Sequence, residues 1–88
     1  MTANEQLIAA RARYAAAPSH AHPDEDPLPG TFCVVTAFGD NPSCRAFEAL
    51  RAAAPPYEFQ FLSLIRWNYE RDTATVLAAF DRAIEATA

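Results

Sequence analysis

Seven prolines divide this chain, at positions 18, 23, 27, 29, 42, 55 and 56. Proline lacks a backbone N–H and fixes φ near about −65°. It therefore starts helices and shapes turns, but does not sit inside a helix or a central strand. No element can run through 18–30 or across 55–56. The remaining stretches, 1–17, 31–54 and 57–88, must supply all the regular structure of an 88-residue chain. That length suits a single domain over 1–88.

Within 1–17, Thr2 and Glu5 have the spacing of a capping box ahead of an alanine-rich run. Leu7, Ile8, Ala12, Tyr14 and Ala15 give a thin apolar stripe, so the sequence predicts a peripheral helix. Residues 18–30 add Asp24, Glu25 and Asp26 to four prolines and read as an acidic loop.

From 31 to 38, apolar residues fill both alternating faces, the pattern of a covered strand. Asn41 before Pro42 then predicts a helix start, with Asn41 as cap. Ala46, Phe47, Leu50, Ala53 and Ala54 form its buried stripe, and Pro55 and Pro56 end it. In 57–67, Tyr57, Phe59, Phe61, Ser63, Ile65 and Trp67 alternate as a second strand. Asp72 caps a last helix with Val76, Leu77, Phe80, Ala83 and Ile84 inward.

The expected fold class is therefore α/β, in the order α-β-α-β-α, with a β-α-β-α unit over 31–87. Two parallel strands make a poor sheet. A homodimer that merges two half-sheets would complete it.

Composition narrows the partners. All seven basic residues are arginine, net charge is −4 and the pI is about 4.9. An acidic chain lacks the basic footprint for nucleic acid or an anionic membrane surface. No apolar run approaches the roughly 20 residues of a membrane span. No export signal is visible, and Cys33 and Cys44 are expected as free thiols in a cytoplasmic setting.

Cys44 stands near the start of the second helix, as its third residue if Pro42 is the first. Helix dipoles attract negative charge there, and Arg45 adjoins it. Cys33 falls mid-strand and reads as core. The residues C-V-V-T-A-F, N-P-S-C, R-A-F-E-A-L-R and Y-E-F-Q-F-L, over 33–64, resemble the first β-α-β unit of the thioredoxin and glutaredoxin families. The resemblance implies a reduced thiol redox protein acting through Cys44, which matches the second, resolving cysteine of the family motif. Asn41 occupies the place of the attacking cysteine, and the later cis-proline segment has no counterpart.

His20, His22 and Asp24 are similar in spacing to the H-x-H-x-D-H zinc motif of the metallo-β-lactamase fold, with Glu25 in place of the last histidine. The proline-rich context predicts a solvated loop instead, with no metal and no cofactor. Arg66, Trp67, Tyr69 and Arg71 cluster at the expected C-terminal end of the second strand, where open α/β sheets bind ligands. The function expected is a small non-enzymatic protein-interaction or regulatory module, with a protein partner and a second copy of itself. Thiol redox chemistry at Cys44 is one alternative. The other is an acidic inhibitor that docks through Asp24, Glu25 and Asp26.

Overall fold

The computed structural model describes residues 1–22, 24–26, 28–39, 43–54 and 61–88. It is all-α. Among the described residues there are four helices, α1 Ala3–Ala16, α2 Cys44–Ala53, α3 Phe61–Glu70 and α4 Thr73–Ala86. A 3-10 turn, Thr36–Phe38, lies between α1 and α2. Among the described residues there is no strand, and the only β pairing is an isolated parallel bridge between Pro18 and Phe32.

This corrects the α/β reading, its parallel two-stranded core and the thioredoxin-like β-α-β unit. The second expected strand is the more instructive error. Residues 57–60 lie outside the described residues, but 61–67 are helical. Alternation of large apolar residues over a short run does not distinguish a strand from a buried helix. The helical spacing was present as well: Leu64, Trp67 and Asn68 are buried together, at i, i+3 and i+4, while Arg66, Tyr69 and Glu70 face outward.

The first expected strand fails as a consequence. Without a neighbour to form a ladder, the backbone groups of 31–38 must find partners elsewhere. Ala37 N–H donates to the Cys33 carbonyl at 3.0 Å, and Phe38 N–H to that of Val35 at 3.2 Å. The Thr36 hydroxyl accepts from Cys33 N–H at 2.9 Å. Gly39 closes the turn at φ 82°, a left-handed value that suits glycine. The case for a homodimer through merged half-sheets goes with the strands.

Where caps were legible, the helices start as expected. Thr2 and Glu5 form the complete capping box of α1, and the Asp72 carboxylate accepts from Thr75 N–H at 2.8 Å at the head of α4. The expected cap and first residue of α2, Asn41 and Pro42, lie outside the described residues, as do Pro55 and Pro56. Ser43 caps this helix by accepting from Ala46 N–H at 3.4 Å, which makes Cys44 the first helical residue and not the third.

One apolar cluster joins the elements. Leu7, Ala10 and Tyr14 of α1 meet Ala46 and Leu50 of α2, Leu64 and Trp67 of α3, and Val76, Ala79, Phe80 and Ala83 of α4. Phe38 fills the side beneath the 3-10 turn and stacks at a tilt on Phe47 and Phe80. Each fully buried large side chain contributes roughly 1.5–3 kcal/mol. α1 is thus central and not peripheral. Its stripe runs through Leu7, Ala10 and Tyr14, while Ile8 stays half exposed.

Polar side chains of α1 reach out to main-chain groups of the other elements. Asn4 Nδ2 donates to the Ile84 carbonyl at 2.9 Å, Gln6 Oε1 accepts from Ser43 N–H at 2.7 Å, and Arg13 donates to the Ala37 carbonyl at 2.7 Å. Arg82 of α4 holds the Ala53 carbonyl at the end of α2 at 2.7 Å. These bonds satisfy groups that helix ends leave without partners. No helix among the described residues is long and apolar enough to cross a membrane.

Candidate functional site

The polar groups of the molecule converge where the 17–39 segment crosses α1, α3 and α4. Asn68 of α3 is almost completely buried, and so is Tyr14 of α1. Buried polar groups need partners. Asn68 Nδ2 donates to the Tyr14 hydroxyl at 3.1 Å, and Asn68 Oδ1 accepts from Val34 N–H at 2.9 Å.

His20 completes the cluster. Its Nδ1 lies 3.0 Å from the Asn68 carbonyl, and its Nε2 lies 3.3 Å from the Tyr14 hydroxyl and 3.1 Å from that of Thr73. A carbonyl only accepts, so Nδ1 carries the hydrogen, and in the neutral ring Nε2 is the acceptor. The result is a closed circuit. Asn68 donates to Tyr14, Tyr14 to His20, and His20 back to the Asn68 carbonyl. Burial pushes the Tyr14 hydroxyl above its ordinary titration range, and its bonds to Asn68 and Thr73 oppose this only in part.

Beside the circuit lies a recess of about 390 Å³, lined by Pro18, Ser19, His20, Ala21, Glu25, Asp26, Leu28 and Thr31. Its wall is formed on one side by the extended stretch that the Pro18–Phe32 bridge holds. Ser19 N–H donates to the Phe32 carbonyl at 2.9 Å, and Phe32 N–H to that of Ala17 at 2.8 Å. Glu25 and Asp26 make the recess acidic and Leu28 gives it an apolar lip. Their side chains suit a cationic group with an aliphatic stem better than an anion.

The residues singled out by sequence do not form one site. Cys44 is exposed at the head of α2, Cys33 is half buried beside Thr36, and both thiols are free. Of the four expected binding residues, Trp67 turns into the core while Arg66 and Tyr69 face outward. They stand near the end of a helix and not at the end of a strand. Arg66 pairs with Glu70 at 3.3 Å, and Arg71 lies 3.8 Å from the same carboxylate. Tyr69 is 42% exposed and meets the His22 ring edge-on, with centroids 5.1 Å apart. His22 in turn lies 3.7 Å from Asp24.

The two loop histidines therefore diverge. His20 points inward, against the expectation of a solvated loop, and His22 points to the surface. Among the described residues no three His, Cys, Asp or Glu side chains are placed to hold a metal ion. Sequence reasoning missed Tyr14, Asn68 and Thr73 as site residues. For Asn68 a signal existed: a polar residue at helical spacing from Leu64 marks a buried amide. For Tyr14 and Thr73 there was none, because their partner His20 belongs to a loop.

No known protein family, curated protein or solved structure matches the chain.

Proposed function

We propose that the chain is a small, non-enzymatic protein-interaction module. The observation that carries this reading is the mounting of Tyr69. It stands exposed at the end of α3, braced by the His22 ring, with Arg66 one turn before it and Arg71 just after. The few residues that dominate binding at protein interfaces are enriched in tryptophan, tyrosine and arginine, and an aromatic ring already held in place loses little freedom on docking. Asp24 flanks the same face through His22 and gives it charge of the opposite sign nearby. Such mixed patterning selects partners more than it adds affinity.

The test is affinity capture from extracts of the source cell, with wild type and Tyr69→Ala compared side by side. A protein retained by wild type and lost from Tyr69→Ala, at unchanged thermal stability, supports the reading. Equal retention by both variants removes this face from consideration. A second copy of the chain as the captured partner would show in the sedimentation of the pure protein.

A further inference from the structure

We propose that the recess beside His20 is a socket for a lysine side chain of the partner protein, with the ammonium held between Glu25, Asp26 and the Ser19 hydroxyl. This names the partner's chemistry and rests on the reading of the chain as an interaction module, but not on Tyr69 as its anchor.

The acidic groups of the recess are uncompensated. The ion pairs among the described residues join Arg11 to Asp81, Arg66 and Arg71 to Glu70, and His22 to Asp24. None reaches Glu25 or Asp26, which both line the recess. Ser19 is a second and independent sign. It is only 7% exposed and lines the same recess. Its hydroxyl accepts from Ala21 N–H at 3.3 Å and makes no other hydrogen bond among the described residues. A hydroxyl can donate once and accept twice, so most of its capacity is spare. Buried polar groups are ordinarily satisfied, and this one is open to a guest.

The walls are already set. Glu25 N–H donates to the His22 carbonyl at 2.8 Å, and the Thr31 N–H and hydroxyl both donate to that of Leu28, at 3.0 and 2.7 Å. His20 spends its ring nitrogens on Asn68, Tyr14 and Thr73, which leaves ring carbon for the recess. Leu28, 74% exposed, adds aliphatic surface at the lip.

Lysine matches each feature. A volume of about 390 Å³ is at the small end of ligand sites, roughly 300–1,000 Å³, and suits one long side chain. The aliphatic stem covers apolar surface, and the compact head carries three donors, one for each carboxylate and one for the Ser19 oxygen. The flat fork of arginine instead matches the two oxygens of one carboxylate. A calcium ion takes about 6–8 oxygen ligands, and among the described residues no three acidic groups gather to hold a metal. The chain has no lysine of its own, so a second copy cannot supply this side chain.

The experiment follows the backbone amides of the full chain by NMR while Nα-acetyl-lysine methylamide is added at constant ionic strength. The shifts should saturate and centre on Ser19, Ala21 and Thr31. Binding should weaken at least about fivefold for the norleucine counterpart of the probe, which keeps an aliphatic stem and lacks the ammonium, and by as much in Glu25→Gln/Asp26→Asn. Those two positions are exposed, so the double variant should melt as wild type does. Asp24→Asn, beside the recess but paired with His22, should stay within about twofold of wild type, and so should Tyr69→Ala. Absence of saturable shifts, an equal response to the norleucine probe, or unweakened binding in the double variant overturns the proposal. A loss in Asp24→Asn or Tyr69→Ala as large as in the double variant also overturns it, because the ammonium would then sit elsewhere. Equal capture of a partner by wild type and Tyr69→Ala would strike the Tyr69 face and leave the recess standing.

Discussion

The side chain of Asn68 accepts the backbone N–H of Val34 at 2.9 Å, and this bond ties a turn without strand partners to the third helix. The same amide donates to Tyr14. Asn68→Leu should therefore strand two buried groups and lower stability by roughly 2–4 kcal/mol. Tyr14→Phe removes one partner and should cost about 1–2 kcal/mol. The double variant should cost less than the sum, because the two residues share a bond. Urea unfolding of the four proteins measures this. Additive losses would show that the circuit does not act as a unit.

The placement of α1 gives a sharper contrast. Leu7 is fully buried, and Ile8 beside it is 50% exposed. Leu7→Ala should cost roughly 2–5 kcal/mol, whereas Ile8→Ala should stay within about 1 kcal/mol. Thermal melts separate the two. Comparable losses would return α1 to the periphery.

Titration should affect stability at both ends of the pH scale. Tyr14 is held protonated by burial, its folded value lying above the ordinary 10.0. The folded state then binds this proton more tightly than the unfolded chain does. Its contribution is whole below about pH 10 and is lost as pH rises through the raised folded value. Tyr14→Phe should flatten that alkaline limb. Glu5 and Asp72 behave oppositely, since bonds to Thr2 and Thr75 hold each below its ordinary value. Their contribution is present above the ordinary carboxylate range and lost as pH falls through the lowered folded values. Asp72→Asn should flatten part of the acid limb. Unfolding free energies across pH 2–11, roughly the span of these groups, check both signs.

Trp67 is the sole tryptophan and is buried, and its Nε1–H has no acceptor among the described residues. Its fluorescence should be blue-shifted in the folded protein and move to the red on unfolding. Trp67→Phe forfeits volume but also removes a buried donor. It should cost less than the roughly 3–5 kcal/mol of a large aromatic truncation to alanine. A folded-state emission like that of free tryptophan would contradict the burial.

What the sequence disclosed follows the range of the forces involved. Thr2 with Glu5 and Asp72 with Thr75 are interactions over three residues, and both caps were legible. The stripe through Val76, Phe80 and Ala83 was legible for the same reason. Residues 31–38 and 61–67 were misread because their apolar content is compatible with either backbone. Partners decide between the two, and a partner strand is a non-local fact. His20 meets residues 6, 48 and 53 positions away, and no local pattern distinguishes it from His22, which faces the surface. Of the sites expected from sequence, Tyr69 and Arg66 kept an outward place and Trp67 did not.

The reach of α1 toward main-chain atoms has an evolutionary corollary. Asn4, Gln6 and Arg13 grip peptide groups at Ile84, Ser43 and Ala37, and every amino acid presents a carbonyl while all but proline present an N–H. Replacement of the side chains at those three positions leaves the grips intact. The α1 contacts themselves therefore place no demand on the side chains at their far ends, where Ser43 and Ala37 answer instead to the α2 cap and to the core. Such a helix would hold its place across sequences that no longer resemble one another, and paired substitutions would leave no record of the contacts.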